Sequence, residues 1–322
     1  MRREISQAAE LIRANDEITI IAHISPDGDT LGSSLALKCV LTRLNKICRV
    51  VCDDSVPFIY HFLPHSEELQ KPNTVTPGRC CIAVDCADQS RMGVAAELFD
   101  AAEETCVLDH HPTNPGYAMI NAVDGDAAAA GELMYELCME LEPELHTDTA
   151  ACLYTAIMTD TGSFAYGNTR PNTHLVAAKL LEAGIDHYDI NRRVYRTLPF
   201  SRVKLLGVAI DNMELRDNGR ICISVVTADM LRSVGALDED TEGVIDHLRD
   251  VSTVEVAALI RESGEDTYKV SLRSKLYADV SKISHRMGGG GHMHAAGYTA
   301  HGTLNEVYEV ALSLCRQALE DN

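Results

Sequence analysis

Between Ile20 and Ser33 the chain reads IIAHISPDGDTLGS, which sets His23, Asp27 and Asp29 in one short loop directly after an apolar run. Ionisable groups so close repel one another or must be desolvated together, unless a positive charge sits among them. A bound cation satisfies that demand. An ordinary solvated turn does so too, since Pro, Asp and Gly are common turn residues. Three further stretches bear on the choice: Asp85 in AVDCAD, Asp109, His110 and His111 in LDHHP, and Asp160 in MTDTGSF. Singly, Asp85 reads as a strand-end cap, Asp160 as a helix N-cap, and the two histidines as a turn pair closed by Pro112. Jointly, Asp or His at four separate element ends is a poor coincidence, and the loop is expected to bind metal. Oxygen-rich donors with a few imidazoles suit Mn²⁺ or Mg²⁺, or Co²⁺ or Fe²⁺, better than a thiolate-bound structural zinc. So many carboxylates exceed the needs of one ion; two ions about 3.5–4 Å apart, sharing a bridging carboxylate, would use them. Cys86, next to Asp85, is expected to turn into the core.

A second stretch with chemical content is MGGGGHMHAAG, from Met287 to Gly297. Gly288, Gly289, Gly290 and Gly291 expose backbone N–H groups and let a phosphate come close, above all where a helix begins next. A flexible turn has the same composition. His292 follows at once, however, and Ala295 and Ala296 are expected to permit tight helix packing, which favours a ligand loop. Upstream, VSLRSK ends an alternating strand with Arg273 and Ser274, a pair suited to an anionic group. For Arg273 a surface ion pair is the alternative.

These residues need a scaffold that gathers element ends. The first part of the chain alternates apolar β-like runs (18–24, 80–85 and 105–109) with helical patterns (31–44, 128–141 and 149–158). Such alternation predicts a parallel α/β sheet, whose ligands sit beyond the carboxyl ends of the strands, where His23, Asp85 and Asp109 fall. Residues 186–215 read as a connector, helical around 200–213. Beyond it, strands at 220–226, 254–260 and 268–273 and a helix near 241–251 predict a second, smaller α/β unit. The expected division is therefore 1–185, 186–215 and 216–322.

Composition narrows the function classes. The 322 residues are 46% hydrophobic and 24% charged, typical of a globular protein with room for two cores. The formal charge of −20 argues against non-specific binding to long duplex DNA, which relies on Lys and Arg. It leaves room for a small anionic ligand in a locally positive or metal-bearing pocket. The start, MRREISQAAELIRAND, has no apolar signal core, and no stretch approaches a membrane span, so neither secretion nor a membrane partner is expected. The eleven cysteines form no CxxC pair, which points to a reducing cytoplasm.

The series HISPDGD, VDCAD, LDHHP and TDTGSF resembles the four motifs of DHH phosphoesterases, in order and complete. The resemblance implies His23, Asp27 and Asp85 as ligands of one metal and Asp29, Asp85, His110 and Asp160 as ligands of the other, with Asp85 bridging. It further implies His111 beside the substrate phosphate and Asp109 supporting the histidines. GGGGH followed by AAG, together with LRS, resembles the DHH-associated C-terminal domain of nanoRNases and pAp phosphatases. By that resemblance Arg273, Ser274, Gly288–Gly291 and His292 grip the nucleotide while the first domain cuts, in a cleft between the domains. His294 departs from a more usual basic residue, and its role stays open. The activity implied is two-Mn²⁺ hydrolysis of short RNA oligonucleotides, linear dinucleotides and 3′-phosphoadenosine 5′-phosphate (pAp), with the direction of trimming and a homodimer left open. An inorganic pyrophosphatase or polyphosphatase, or a non-catalytic dinucleotide sensor, are the alternatives; the glycine–histidine stretch speaks against the first and the complete ligand set against the second.

Overall fold

Helix α1 (Arg2–Ala14) opens the described part of the chain, residues 2–320 of a computed structural model, and leads into strand β1 (Glu17–Ala22). EITIIA carries one polar residue, Thr19, after its first position, and is buried from Ile18 onward. A run without polar alternation belongs in a sheet covered on both faces. Accordingly Ile18 and Ile20 pack into one apolar cluster and Ile21 into another.

Helix α2 (Gly28–Arg43) and strand β2 (Ile47–Val51) follow, then β3 (Cys80–Val84), α3 (Ala96–Asp100), β4 (Glu104–Asp109) and β5 (Ile120–Val123). The five strands form one parallel sheet in the order β2-β1-β3-β4-β5. Strand order reverses between neighbours β1 and β3. The segments leaving these two strands therefore diverge and open a crevice at their carboxyl ends. His23 follows β1 and Asp85 follows β3, so the crevice receives both.

Helices α4 (Ala130–Leu141), α5 (Thr147–Asp160), α6 (Pro171–Glu182) and α7 (His187–Tyr195) complete the first unit. Helix α2 starts at Gly28, three residues before the expected Leu31. Asp27 is the reason: its Oδ1 accepts the N–H groups of Asp29 (3.0 Å) and Thr30 (3.1 Å), an N-cap that the apolar pattern does not show. Gly32 lets α2 press against α5. A Cβ there would stand 2.4 Å from the Cys152 carbonyl oxygen and 2.9 Å from the Ala156 Cβ. This close approach brings Asp29, at the start of α2, to Asp160, at the end of α5.

The chain divides into two units between Thr197 and Leu198. The expected connector thus contributes α7 to the first unit and α8 (Phe200–Asp211) to the second. After β6 (Glu214–Arg216), β7 (Ile221–Val226) and α9 (Ala228–Val234), the helix expected near 241–251 shortens to α10 (Val244–Arg249), behind a 3₁₀ turn at Asp238–Thr241. Then come β8 (Val256–Gly264), β9 (Thr267–Ser274), α11 (Val280–Arg286), β10 (Gly290–His292), β11 (Ala295–His301) and α12 (Leu304–Glu320). The strands form a mixed sheet, β10-β11-β9-β8-β7-β6, in which only β7 and β8 run parallel.

One expectation is corrected here. No helix begins after the glycine run: Ala295, Ala296 and Gly297 lie in β11, and Gly290 and Gly291 pair with Gly297 and Ala296. The residues AAGYTAH alternate in burial, with Ala296, Tyr298 and Ala300 facing the core, which is a strand's period.

Candidate metal centre

Seven acidic and imidazole side chains meet beyond the carboxyl ends of β1, β3 and β4 and the last turn of α5. His23 Nε2 lies 3.6 Å from Asp27 Oδ1 and 3.4 Å from Asp85 Oδ2. His110 Nε2 lies 3.5 Å from Asp85 Oδ1, 3.5 Å from Asp160 Oδ2 and 3.9 Å from Asp29 Oδ2. These separations are longer than hydrogen bonds. They fall within the roughly 3.0–4.2 Å expected between two donors on one octahedral ion with bonds of about 2.1 Å. Two donor groups, His23–Asp27–Asp85 and Asp29–His110–Asp160, each converge within 4.8 Å, as does Asp85–His110–His111. Asp85 thus belongs to two of the three groups, and His110 to two.

The local backbone aims these groups. Asp85 has φ of 57°, a left-handed conformation uncommon outside glycine but tolerated by Asp, and its N–H donates to the Leu108 carbonyl (2.8 Å). Strain of this kind collects at functional sites. Asp29 is held from behind by the start of α4, whose Ala130 and Gly131 amides donate to its Oδ2 (2.7 Å) and Oδ1 (2.9 Å). The Asn168 side-chain amide donates to the Asp160 carbonyl at 3.0 Å, fixing that helix end.

Electrostatics state what the cluster lacks. Burial, followed by the neighbouring carboxylates Asp85, Asp160 and Asp27, pushes Asp29 well above the usual range. Burial lifts Asp160 to about 7, against the opposing pull of His110. Desolvation would depress His23, but Asp27 and Asp85 raise it to about 10. Asp27 stands at the mouth, about half exposed; against the desolvation of the crowded pocket, His23 and the capped amides hold it down to about 2. Asp85 is 3% exposed, and its Oδ1 makes no hydrogen bond. A buried carboxylate oxygen without a donor, among carboxylates that must keep protons, fits divalent cations in place of those protons.

His111 and Asp109 form a separate arrangement. Fully buried Asp109 accepts from His111 Nδ1 (2.7 Å) and the His110 amide through Oδ1, and from Asn114 Nδ2 (2.7 Å) through Oδ2. Burial works against both charges, yet the pairing lowers Asp109 and raises His111. Asp109 therefore fixes the orientation of the His111 ring. Sequence reasoning misses Asn114; its only signal there is that it follows three residues behind the histidine pair. Cys86 is buried among Ile21, Val51 and Met92, as the strand alternation implies.

The second unit places Arg273, His292 and Gly290 on one sheet face. Arg273 pairs with Ala295 on β11, and Ala295 pairs with His292 on β10. Cross-strand partners share a face, so Arg273 and His292 stand roughly 10 Å apart with only a methyl group between them. Ser271, Gly297 and Gly290 continue the small-residue surface one row along. Arg273 is half-buried; its Nε lies 3.7 Å from Asp246 Oδ1, and it donates from an Nη to the Leu272 carbonyl. Ser274 is buried and pairs with His294 Nδ1 at 2.8 Å, which gives His294 a fixed orientation.

The glycines do more structural work than expected. The Gly288 and Gly289 amides donate to the His285 and Ser284 carbonyls at the end of α11. A Cβ on Gly289 would lie 2.1 Å from the Gly297 oxygen, and one on Gly291 2.4 Å from the Ala295 oxygen. The run caps a helix and lets a hairpin close, so its amides are not four bare phosphate donors.

Comparison with known proteins follows the same division. The profile described as "DHH family, N-terminal domain" matches residues 17–157, and that described as "DHHA1 domain" matches residues 218–321. A Thermus thermophilus protein named "Bifunctional oligoribonuclease and PAP phosphatase NrnA" is 34% identical over 315 residues, 97% of this chain and 93% of that protein. A Bacillus subtilis protein of the same name is 27% identical, covering 89% of this chain and 91% of its own length. The crystal structure of an exopolyphosphatase-related protein from Bacteroides fragilis superposes with a TM-score of 0.92 at 26% identity, covering 100% of this chain and 96% of that one.

Proposed function

The chain belongs to the DHH family, with a DHHA1 domain after it, and from that premise we propose a cytoplasmic, Mn²⁺-dependent phosphoesterase that hydrolyses very short oligoribonucleotides, linear dinucleotides and pAp. The observation that supports this reading is the overlap of donor groups at Asp85, which two of the three groups share. The names of the Thermus thermophilus and Bacillus subtilis relatives supply the substrate class. Eleven free cysteines agree with a reducing compartment.

In this reading His23, Asp27 and Asp85 hold one ion, and Asp29, Asp85, His110 and Asp160 hold the other. Divalent ions bound there would supply a hydroxide at neutral pH and offset negative charge on the phosphoryl oxygens. His111, whose Nδ1 is engaged by Asp109, is assigned the contact with a phosphoryl oxygen. Its imidazolium, favoured by Asp109 against burial, donates a hydrogen bond that strengthens as charge grows on that oxygen. Arg273 and His292 flank the nucleotide on the second unit's sheet face, and Gly290 lets it lie close to the backbone.

A turnover panel of pAp, pApA, pGpG, RNAs of two to ten nucleotides, pyrophosphate and polyphosphate, with Mn²⁺, tests the proposal. The expected result is hydrolysis of pAp and the short nucleotides only, with an end label giving the direction of trimming. A second reading, cleavage of polyphosphate, is favoured by the likeness to the exopolyphosphatase-related protein of Bacteroides fragilis. Turnover confined to polyphosphate or pyrophosphate would establish it instead.

A further inference from the structure

Arg91 lies in the 3₁₀ segment Gln89–Ala95 that follows β3, and its carbonyl accepts the Ile24 N–H at 2.8 Å. That bond ties the segment to the loop after β1. Its guanidinium lies against His23, one of the cluster's donors, with one Nη 3.1 Å from Nδ1. His23 Nδ1 also lies 2.8 Å from the Ile24 carbonyl, while Nε2 faces Asp27 and Asp85. With Nε2 serving as a ligand, the ring hydrogen sits on Nδ1 and is donated to the Ile24 carbonyl. A nitrogen with a hydrogen cannot accept from Arg91. Two donors thus face each other at 3.1 Å, and among the described residues Arg91 forms no ion pair with any carboxylate. A half-buried, permanently charged fork of N–H groups beside a site rich in carboxylates, yet bonded to none of them, calls for an acceptor that arrives from outside.

We infer that Arg91 is a further substrate-positioning residue, whose guanidinium takes oxygens of the substrate phosphate held at the metal cluster. The planar fork matches two oxygens of one phosphate, which a lysine at this position would contact only as a point charge. It turns the phosphorus toward the cluster and fixes which face meets the attacking oxygen. This inference rests on the phosphoesterase reading for its substrate, though the anion it needs is simply phosphate.

The test compares the wild-type protein with Arg91→Gln and Arg91→Ala in Mn²⁺. Arg91→Gln is expected to raise KM for pAp by about tenfold to a hundredfold, with a smaller change in kcat. Added guanidinium ion, below denaturing concentration, should restore part of the loss in Arg91→Ala, a rescue that a purely structural role would not show. The Mn²⁺-induced rise in unfolding temperature should persist in both variants, showing that the site still forms. Calorimetry with inorganic phosphate on the Mn²⁺-loaded protein should show weaker binding in Arg91→Gln, and this arm holds whichever organic substrate is used. Unchanged KM and phosphate affinity would overturn the inference. So would tighter Mn²⁺ binding as the sole effect, which would make Arg91 only a counter-charge. A wild-type protein that binds phosphate through Arg91 but cleaves neither pAp nor dinucleotides would sink the substrate assignment and leave the Arg91 contact standing.

Discussion

In the first unit, carboxylates and imidazoles crowd together at the ends of three strands and a helix, and His23, Asp29 and Asp85 among them are buried. In the second, Arg273 and His292 stand two strands apart on an open sheet face, separated by alanine and surrounded by glycine and serine. The first arrangement stores repulsion: Asp29 and Asp160 sit well above ordinary carboxylates because burial and each other's neighbours deny them charge. The second stores almost none. Chemistry that needs cations at fixed points must be assembled before they arrive, with donors held by helix amides and a strained backbone. The nucleotide grip proposed for the second unit would need only shape and a few charges, which small residues provide with little stress on the fold.

The sharpest way to break this contrast is at Asp85. Asn is the informative replacement, because it tolerates the left-handed backbone and removes only the charge. Asp85→Asn should reduce turnover to background and eliminate Mn²⁺ binding, measured by metal analysis after gel filtration. In the wild type, Mn²⁺ at a hundred times its dissociation constant should raise the unfolding temperature by about 5–10 °C, and Asp85→Asn should abolish the rise. Two ions retained with near-normal turnover would end the bridging role.

His111→Ala comes next in size. Removing a group that serves the transition state should lower kcat by about 10²–10⁴ while the bound metal is unchanged. Loss of metal there would make His111 a ligand and merge its arrangement with the cluster. On the other side of the comparison, Arg273→Ala should raise KM for pAp and dinucleotides about tenfold to a hundredfold. It should leave the slow hydrolysis of bis-p-nitrophenyl phosphate, which is too small to need the second unit, almost untouched. Equal losses toward both substrates would assign Arg273 to the fold or the chemistry.

The smallest expected effect separates two neighbouring glycines. Gly289→Ala must displace the Gly297 carbonyl and should destabilise the second unit by about 1–3 kcal/mol in urea unfolding. At Gly290 the nearest atom to a new Cβ is His285 Cε1 at 3.9 Å, so Gly290→Ala should leave stability unchanged. Any rise in KM in that second variant then reports contact with the nucleotide.

Much of the scaffold is legible in the sequence because β1, β3 and β4 are apolar runs ending in chemistry-bearing residues, and the switch between β1 and β3 brings their ends together. The start of α2 is not, because an N-cap acts through Asp27's side chain, which hydrophobic periodicity does not register. The glycine run misleads because glycines that accept a phosphate and glycines that let a carbonyl pass within contact look alike until the partner strand is known. Asn114 and Arg91 escape any pattern, because the contacts of the first with Cys86 and of the second with His23 join residues far apart in the chain.

Gly32 carries a consequence for how such a protein can vary. The spacing between Asp29 and Asp160 is gauged at a contact inside the helix pair, where a hydrogen atom stands in place of a side chain. A single added methyl would act as a shim, displacing one helix against the other and widening the gap between two carboxylates it never touches. The choice of ion can therefore drift through substitutions in the apolar interior while every ligand keeps its identity, and a catalogue of ligands alone would record no change.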